Sequence, residues 1–339
     1  MWDDSSSRRD TVGIETPNSV HNQIMKQQKF VPILLAALVS LTPSSKAGIV
    51  VNDTFQDADR TDPAGPVYSE NGTDADFDGD IESAWFRSGT GSSTTMSPGH
   101  MVNAGGAGGS MSLTTYFTPD ASAVTLNNVG DKLALTWVFT PVGVTTTSTG
   151  NQDMRLAIAD SSGRLSADGT PANQLYSGYG IFFNMRAGTL GNAAAMRVME
   201  WAAPGTPNNL LSTASAWVSD ATATAVVGTT PGFTSGNSYT LYWSITKTAT
   251  GADIYQSITD SGGTLNGTGV LDLSYSDATP QALSFDTFAM RPQTPELTAT
   301  SFDTTQFMVE FTAAVPEPTV TALLGIGLTG LIAARRNRR

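Results

Sequence analysis

Leu133-Ala134-Leu135-Thr136-Trp137-Val138-Phe139 places a large apolar side chain at every second position. Side chains of an extended strand alternate between two faces with period two, whereas one face of a helix recurs every three or four residues. The segment therefore reads as a strand with Leu133, Leu135, Trp137 and Phe139 turned into a core. Met154-Arg155-Leu156-Ala157-Ile158, Tyr239-Thr240-Leu241-Tyr242-Trp243-Ser244-Ile245 and Phe307-Met308-Val309-Glu310-Phe311 repeat the pattern. Asp160-Ser161-Ser162-Gly163, Thr250-Gly251 and Asp260-Ser261-Gly262-Gly263 supply turn residues between such runs. About a dozen short strands at this spacing predict an all-β fold, an antiparallel β-sandwich or jelly roll.

Working outward, the stretch Gly191–Trp201 is ambiguous, because Ala193-Ala194-Ala195-Met196-Arg197 could open a helix. A strand ending at Trp201, before Pro204-Gly205, is the expectation. Ser88 to Ser110, dense in Gly, Ser and Thr, and Pro141 to Gly150 read as loops. Gly105-Gly106-Ala107-Gly108-Gly109 lacks the Lys-Ser/Thr of a phosphate-binding loop and opens no helix, so it does not indicate nucleotide. No strict internal repeat is evident.

The two ends differ in kind from this body. Met25-Lys26-Gln27-Gln28-Lys29 is a basic segment, Phe30 to Leu41 an apolar one, and Ser45-Lys46-Ala47 offers small residues for a peptidase. That order is a secretory signal peptide over residues 25–47, with the cut expected between Ala47 and Gly48. Residues 1–24 are polar and patternless, either a non-native stretch ahead of an initiator at Met25 or a disordered extension. At the other end Val315-Pro316-Glu317-Pro318-Thr319 precedes a charge-free run from Val320 to Ala334, then Arg335-Arg336-Asn337-Arg338-Arg339. Fifteen helical residues rise about 22 Å at ~1.5 Å each, a short membrane span that snorkelling Arg335 and Arg336 make tolerable. The terminal arginines keep that end cytoplasmic. An anchor that is never cut is the plainer alternative.

The tail, residues 315–339, resembles the PEP-CTERM sorting signal. Val315, Pro316, Glu317, Pro318, Arg335, Arg336, Arg338 and Arg339 carry the match. The resemblance implies export, transient anchoring in the inner membrane by the C-terminal helix, recognition by an exosortase, and delivery to the cell surface or extracellular space. Signal peptidase is the other processing partner.

The intervening body, residues 48–314, holds nine basic and twenty-five acidic residues, a balance of −16 against −12 for the whole chain. Such a surface disfavours nucleic acid and anionic lipid and suits solubility or cation binding. The chain has no cysteine, so core burial or bound ions must hold the body together. Val51-Asn52-Asp53-Thr54-Phe55, Leu113 to Phe117, Thr248 to Asp253 and Phe307 to Phe311 resemble the strands of concanavalin-like or laminin-G-like jelly rolls attached to such tails. That resemblance implies association with extracellular polysaccharide.

Chemistry is sparse. His100 is the single histidine of the body, which with no thiol argues against zinc, thiol nucleophiles and a Ser-His-Asp triad. Concanavalin-like enzymes carry Glu-x-Asp-x-x-Glu on a central strand, and no pair among Glu70, Glu82, Glu200, Glu296 and Glu310 has that spacing. No catalytic residue is therefore assigned, and no cofactor is required. One cluster, Asp74-Ala75-Asp76-Phe77-Asp78-Gly79-Asp80-Ile81-Glu82, resembles the first half of an EF-hand Ca²⁺ loop. Asp74, Asp76, Asp78, Asp80 and Glu82 are its candidate ligands, although Trp85 stands where a bidentate Glu would close the loop. A solvated acidic loop is the alternative. Trp85, Tyr179 and Trp201, beside loops, are candidates for stacking on a sugar ring. Two functions stay open: a non-catalytic structural or glycan-associated surface module, and a carbohydrate-active enzyme or dedicated lectin.

Overall fold

The computed structural model describes residues 47–60, 68–89, 92–105, 111–119, 122–145, 154–169, 175–188, 190, 195–202, 210–211, 216–223, 231–292, 299–315 and 335–336. The segments read as an N-terminal extension and as a membrane span, and the signal peptide apart from Ala47, lie outside them. Among the described residues no helix is long and apolar enough to cross a membrane.

Among the described residues seventeen strands follow one another: β1 Ala47–Asp53, β2 Trp85–Ser88, β3 Ser93–Ser97, β4 His100–Ala104, β5 Ser112–Tyr116 and β6 Val124–Thr125. They continue as β7 Lys132–Val142, β8 Met154–Ser161, β9 Tyr176–Phe183, β10 Met196–Trp201, β11 Trp217–Ala223 and β12 Tyr239–Lys247. The last are β13 Ala252–Asp260, β14 Val270–Asp277, β15 Ser284–Phe285, β16 Thr287–Pro292 and β17 Ser301–Thr312. One large sheet runs β14-β13-β12-β7-β17-β4-β3, with β1 also on β17; the second runs β11-β10-β9-β8-β16-β5-β2, and β15 pairs with β6 in a small third sheet. The strand pairs are antiparallel, as the alternation predicts.

The register shows why the alternating runs assemble. Leu133, Leu135, Trp137 and Phe139 of β7 stand opposite Ile245, Trp243, Leu241 and Tyr239 of β12. All eight are buried, so one face of two adjacent strands is apolar throughout. A slip of one residue would turn that whole set to the other face, so burial itself fixes the register. From the second sheet, Leu156, Ile158, Ile181, Phe183 and Phe288 meet them in the same core. Rings lock the sheets together: Phe307 of β17 lies 4.9 Å from both Trp85 of β2 and Phe288 of β16. Each fully buried side chain of this size contributes roughly 1.5–3 kcal/mol, enough to stabilise a body without disulfides.

The second sheet is covered on its other face as well. Ala157, Ala159 and Ala289 pack there beneath Tyr176, Phe182, Met199, Trp201, Leu210, Leu211 and Trp217. At one end of that sheet Arg164 sits against the rings of Tyr68 and Tyr116, 4.9 and 5.1 Å from their centroids. It reaches the buried Asp286 carboxylate at 3.3 Å, which also accepts hydrogen bonds from Ser161 and Thr287.

Two loop expectations need correction. The stretch Ser88–Ser110 contains the β3–β4 hairpin, in which Met101 and Asn103 point inward while the Ser and Thr side chains of β3 stay half-exposed or exposed. Serine and threonine carry too little hydropathy to reveal that alternation. Pro141 and Val142 extend β7 rather than starting a loop, and Pro141 lies opposite Phe302 of β17. For Gly191–Trp201, the described part, β10, is a strand.

Candidate functional site

The sorting tail leaves the body directly from β17. Ala47 of β1 lies opposite Thr312 of β17, and Gly48 opposite Phe311. Two residues after Thr312, the Ala314 N–H donates to Asp131 Oδ1 at 2.7 Å, while Asp131 Oδ2 accepts from the N–H groups of Asn127 and Asn128. Burial works against ionisation of Asp131, but the N–H groups of Asn128, Ala314 and Asn127 outweigh it and hold its carboxyl below the usual range. Val315 is the last described residue of that segment; Arg335 and Arg336 are helical and exposed. Pro316, Glu317, Pro318, Arg338 and Arg339 lie outside the described residues.

At the other end of β1 the chain enters an acidic cluster. Six residues at ~3.3 Å each put Asp53 about 20 Å from Ala47. Asp53 accepts from Phe55 N–H at 3.0 Å and from the Trp85 indole N–H at 3.1 Å. Asp80 accepts from the N–H of Thr54 and of Gln56, and from the Thr54 hydroxyl. Facing oxygens of Asp53, Asp80 and Glu82 lie within 4.8 Å of one another, as do those of Asp57, Asp78 and Glu82, and of Glu70, Asp74 and Asp76. The five residues expected to form one calcium loop are thus divided among three groups. Asp74 is turned onto its own loop, accepting from the N–H of Phe77 and of Gly79, and Asp76 accepts from Asp78 N–H. The tip carries Phe77, 88 % exposed and left-handed at φ 71°.

Glu82 joins two of the groups. It is only 4 % exposed, and its Oε2 has no hydrogen-bond partner. Burial first, then the charges of Asp57, Asp53, Asp78 and Asp76, push its carboxyl up to about 9. Burial likewise raises Asp53 well above the carboxylate range, hydrogen bonds from Trp85 and Phe55 notwithstanding. Asp53 and Asp57 were missing from the sequence-based set. The available signal was a carboxylate at Asp53 in phase with Val51, an inward position of a strand, where a charge needs a partner.

The aromatic candidates are corrected. Trp85, Tyr179 and Trp201 are each 0 % exposed and belong to the core, so none offers a face to a sugar. Trp85 packs between Phe55, Phe288 and Phe307. Trp201 stands edge-on to Trp217 at 5.1 Å. Tyr179 donates its hydroxyl to Asp277 Oδ2 at 2.6 Å, from β9 of one sheet to β14 of the other. Their nearness to turns in the sequence misled, because strand ends in this sandwich are still capped by core.

Around that bridge sits a second carboxylate group. Glu200 of β10 accepts from Gln281 N–H at 2.9 Å. Burial and then the charges of Asp277 and Asp220 raise it to about 7, and burial with Asp277 raises Asp220 to about 6. His100, expected in a loop, lies on β4 and places Nδ1 3.0 Å from both carboxylate oxygens of Asp303 on β17.

An all-β sandwich whose last strand runs straight into a Pro-Glu-Pro segment is thus the class of molecule. Residues 314–339 match the family described as the PEP-CTERM protein-sorting motif. No curated protein matches the chain. The body is similar to solved lectin structures. The winged bean acidic lectin complexed with methyl-α-D-galactose has TM-score 0.41 at 8 % identity, over 67 % of this chain and 92 % of the lectin. Lectin I-B4 from Griffonia simplicifolia, in a metal-free form, has TM-score 0.35 at 10 % identity, over 69 % and 96 %. The exoplasmic/lumenal domain of VIP36, in a Ca²⁺/Man-bound form, has TM-score 0.37 at 11 % identity, over 71 % and 87 %. This is a likeness of fold, and no residue role is carried over from it.

Proposed function

We propose that this chain is an exported cell-surface or extracellular-matrix protein, sorted and cut at its tail by an exosortase, whose body is a non-catalytic structural or glycan-associated module. The observation that carries the reading is the sorting motif at residues 314–339, directly after the last strand of a folded sandwich. The tail start is held by Asp131, so the cleavable segment emerges at a fixed place on the body. Signal peptidase would release the other end after Ala47, and the apolar run 320–334 would anchor the chain in the inner membrane until processing. Support for a non-catalytic body comes from the second sheet, whose outer face is filled by Trp201, Trp217, Leu210 and Leu211. Calcium is the cofactor that suits the acidic cluster, since the residues there offer oxygen and neither imidazole nor thiolate.

Expression with and without a co-produced exosortase tests the sorting, with fractionation of cells and medium. Cleaved protein outside the membrane only when the protease is present is the expected result. A glycan array and a hydrolysis screen on the same protein test the body. Turnover would favour a carbohydrate-active enzyme, and selective binding a dedicated lectin.

A further inference from the structure

We propose that Asp57, Asp78 and Glu82 bind one calcium ion, with Asp53 and Asp80 forming the wall behind it. The proposal deepens the reading of the acidic cluster as a cation site and does not depend on the sorting of the tail. Its ligand set differs from the continuous loop 74–82: it joins the turn after β1 to the far end of the acidic loop.

Four observations carry it. One carboxylate oxygen from each of Asp57, Asp78 and Glu82 lies within 4.8 Å of the other two. Oxygens on opposite sides of a calcium ion, bonded at roughly 2.3–2.6 Å, stand about 5 Å apart, so the group has the span of one coordination sphere. Secondly, Glu82 is almost fully buried with an unpartnered Oε2, a cost that a bound cation would remove. Thirdly, the oxygens already used are the right ones to leave others available. Asp57 Oδ1 accepts Asp59 N–H at 2.9 Å and Asp78 Oδ1 accepts Asp80 N–H at 2.9 Å, orienting each second oxygen without engaging it. Asp80, by contrast, has both oxygens bonded to the Thr54–Gln56 turn, and Asp53 both bonded to Phe55 and Trp85. They fix the backbone that presents the ligands. Fourthly, among the described residues none of the five makes an ion pair; the arginine of that turn, Arg60, is engaged by Asp168 at 2.6 Å.

Hard carboxylate oxygens in irregular geometry suit calcium better than magnesium, which demands a near-ideal octahedron, and better than zinc, which favours nitrogen and sulfur. Three carboxylates supply three to six oxygens, and water completes the sphere. The ion would join two separate turns into one corner, at the end of the sandwich opposite the exit of the tail. Extracellular calcium modules bind at roughly 10⁻⁴–10⁻³ M, so loading would follow export rather than precede it.

The test is calorimetric and thermal, on the full chain in detergent, stripped with chelator and titrated with calcium chloride alone to about 10 mM, past the usual range for such modules. Measurable heat and a rise in melting temperature are expected. Glu82→Gln and Asp57→Asn should each lower the affinity by about tenfold or more, as loss of metal-supporting groups commonly does, while Asp76→Asn changes it far less. In chelator, Glu82→Gln should melt no lower than the wild type, since the amide keeps the size and neutrality that burial already favours at this position. Asp57→Asn, on the exposed side, keeps the test valid if the Gln variant does not fold. No heat and no stabilisation would overturn the proposal, as would a response that both variants retain or that Asp76→Asn abolishes equally.

Discussion

Ala47 and Thr312 face each other across the ladder between β1 and β17. The expected signal-peptidase site and the start of the sorting motif therefore leave the sandwich side by side, at one end. In the proposed function both cuts fall to membrane proteases, and a body with adjacent exits would serve them in one orientation. The acidic cluster lies at the other end of the same strand.

Asp131 is the bolt on the exit. Asp131→Ala leaves the N–H groups of Asn127, Asn128 and Ala314 without their acceptor, and should cost about 1–3 kcal/mol, read from the denaturant midpoint. Its folded pKa lies below the unfolded value, so its contribution is present above the unfolded pKa and is lost as pH falls through the folded one. Acid titration of wild type and variant should converge at the lowest pH; parallel curves would contradict this role.

Two glycines of β9 report how tightly the second sheet is packed. A Cβ at Gly178 would stand 2.2 Å from the Ile158 carbonyl oxygen, a backbone atom that cannot step aside. At Gly180 it would meet Trp217 Cζ3 at 3.1 Å, the tip of a side chain. Gly180→Ala should cost about 1–3 kcal/mol, the usual range for overpacking, and Gly178→Ala clearly more. Equal midpoints for the two variants would contradict the arrangement of Trp217 over β9.

Glu200 gives the body a pH dependence at its other edge. Its pKa is raised to about 7 from an ordinary 4.5, so the folded state holds the proton more tightly than the unfolded chain. The associated stability is complete below the unfolded pKa and is lost as pH rises from about 4.5 through about 7. Melting temperatures of the wild type should fall across that window relative to Glu200→Gln, which cannot ionise. A constant difference between the two proteins would contradict the assignment.

Much of this was legible beforehand, for a physical reason. Trp137, Leu135, Trp243 and Leu241 announce strands because large apolar residues at period two have one solution, a half-buried sheet. The β3–β4 hairpin was not legible, since Ser93, Thr94 and Thr95 carry almost no hydropathy contrast. The tail was readable as a motif of a few residues that acts by sequence. The acidic cluster was half readable: Asp78 and Glu82 lie in one acidic run, but Asp57 arrives through the turn after β1, a proximity created only by folding. Trp85, Tyr179 and Trp201 show the converse error, because position beside a turn says nothing about which way a ring points.

The most direct test of the central claim is the mass of the mature protein's C-terminus in cells that make the exosortase, for the wild type and for a variant with Pro316, Glu317 and Pro318 all replaced by Ala. The wild type should be shortened near the Pro-Glu-Pro segment and released from the membrane, and the variant should keep Arg339 and stay in the membrane fraction. A wild type that retains its tail, or a variant cut and released like the wild type, would contradict it.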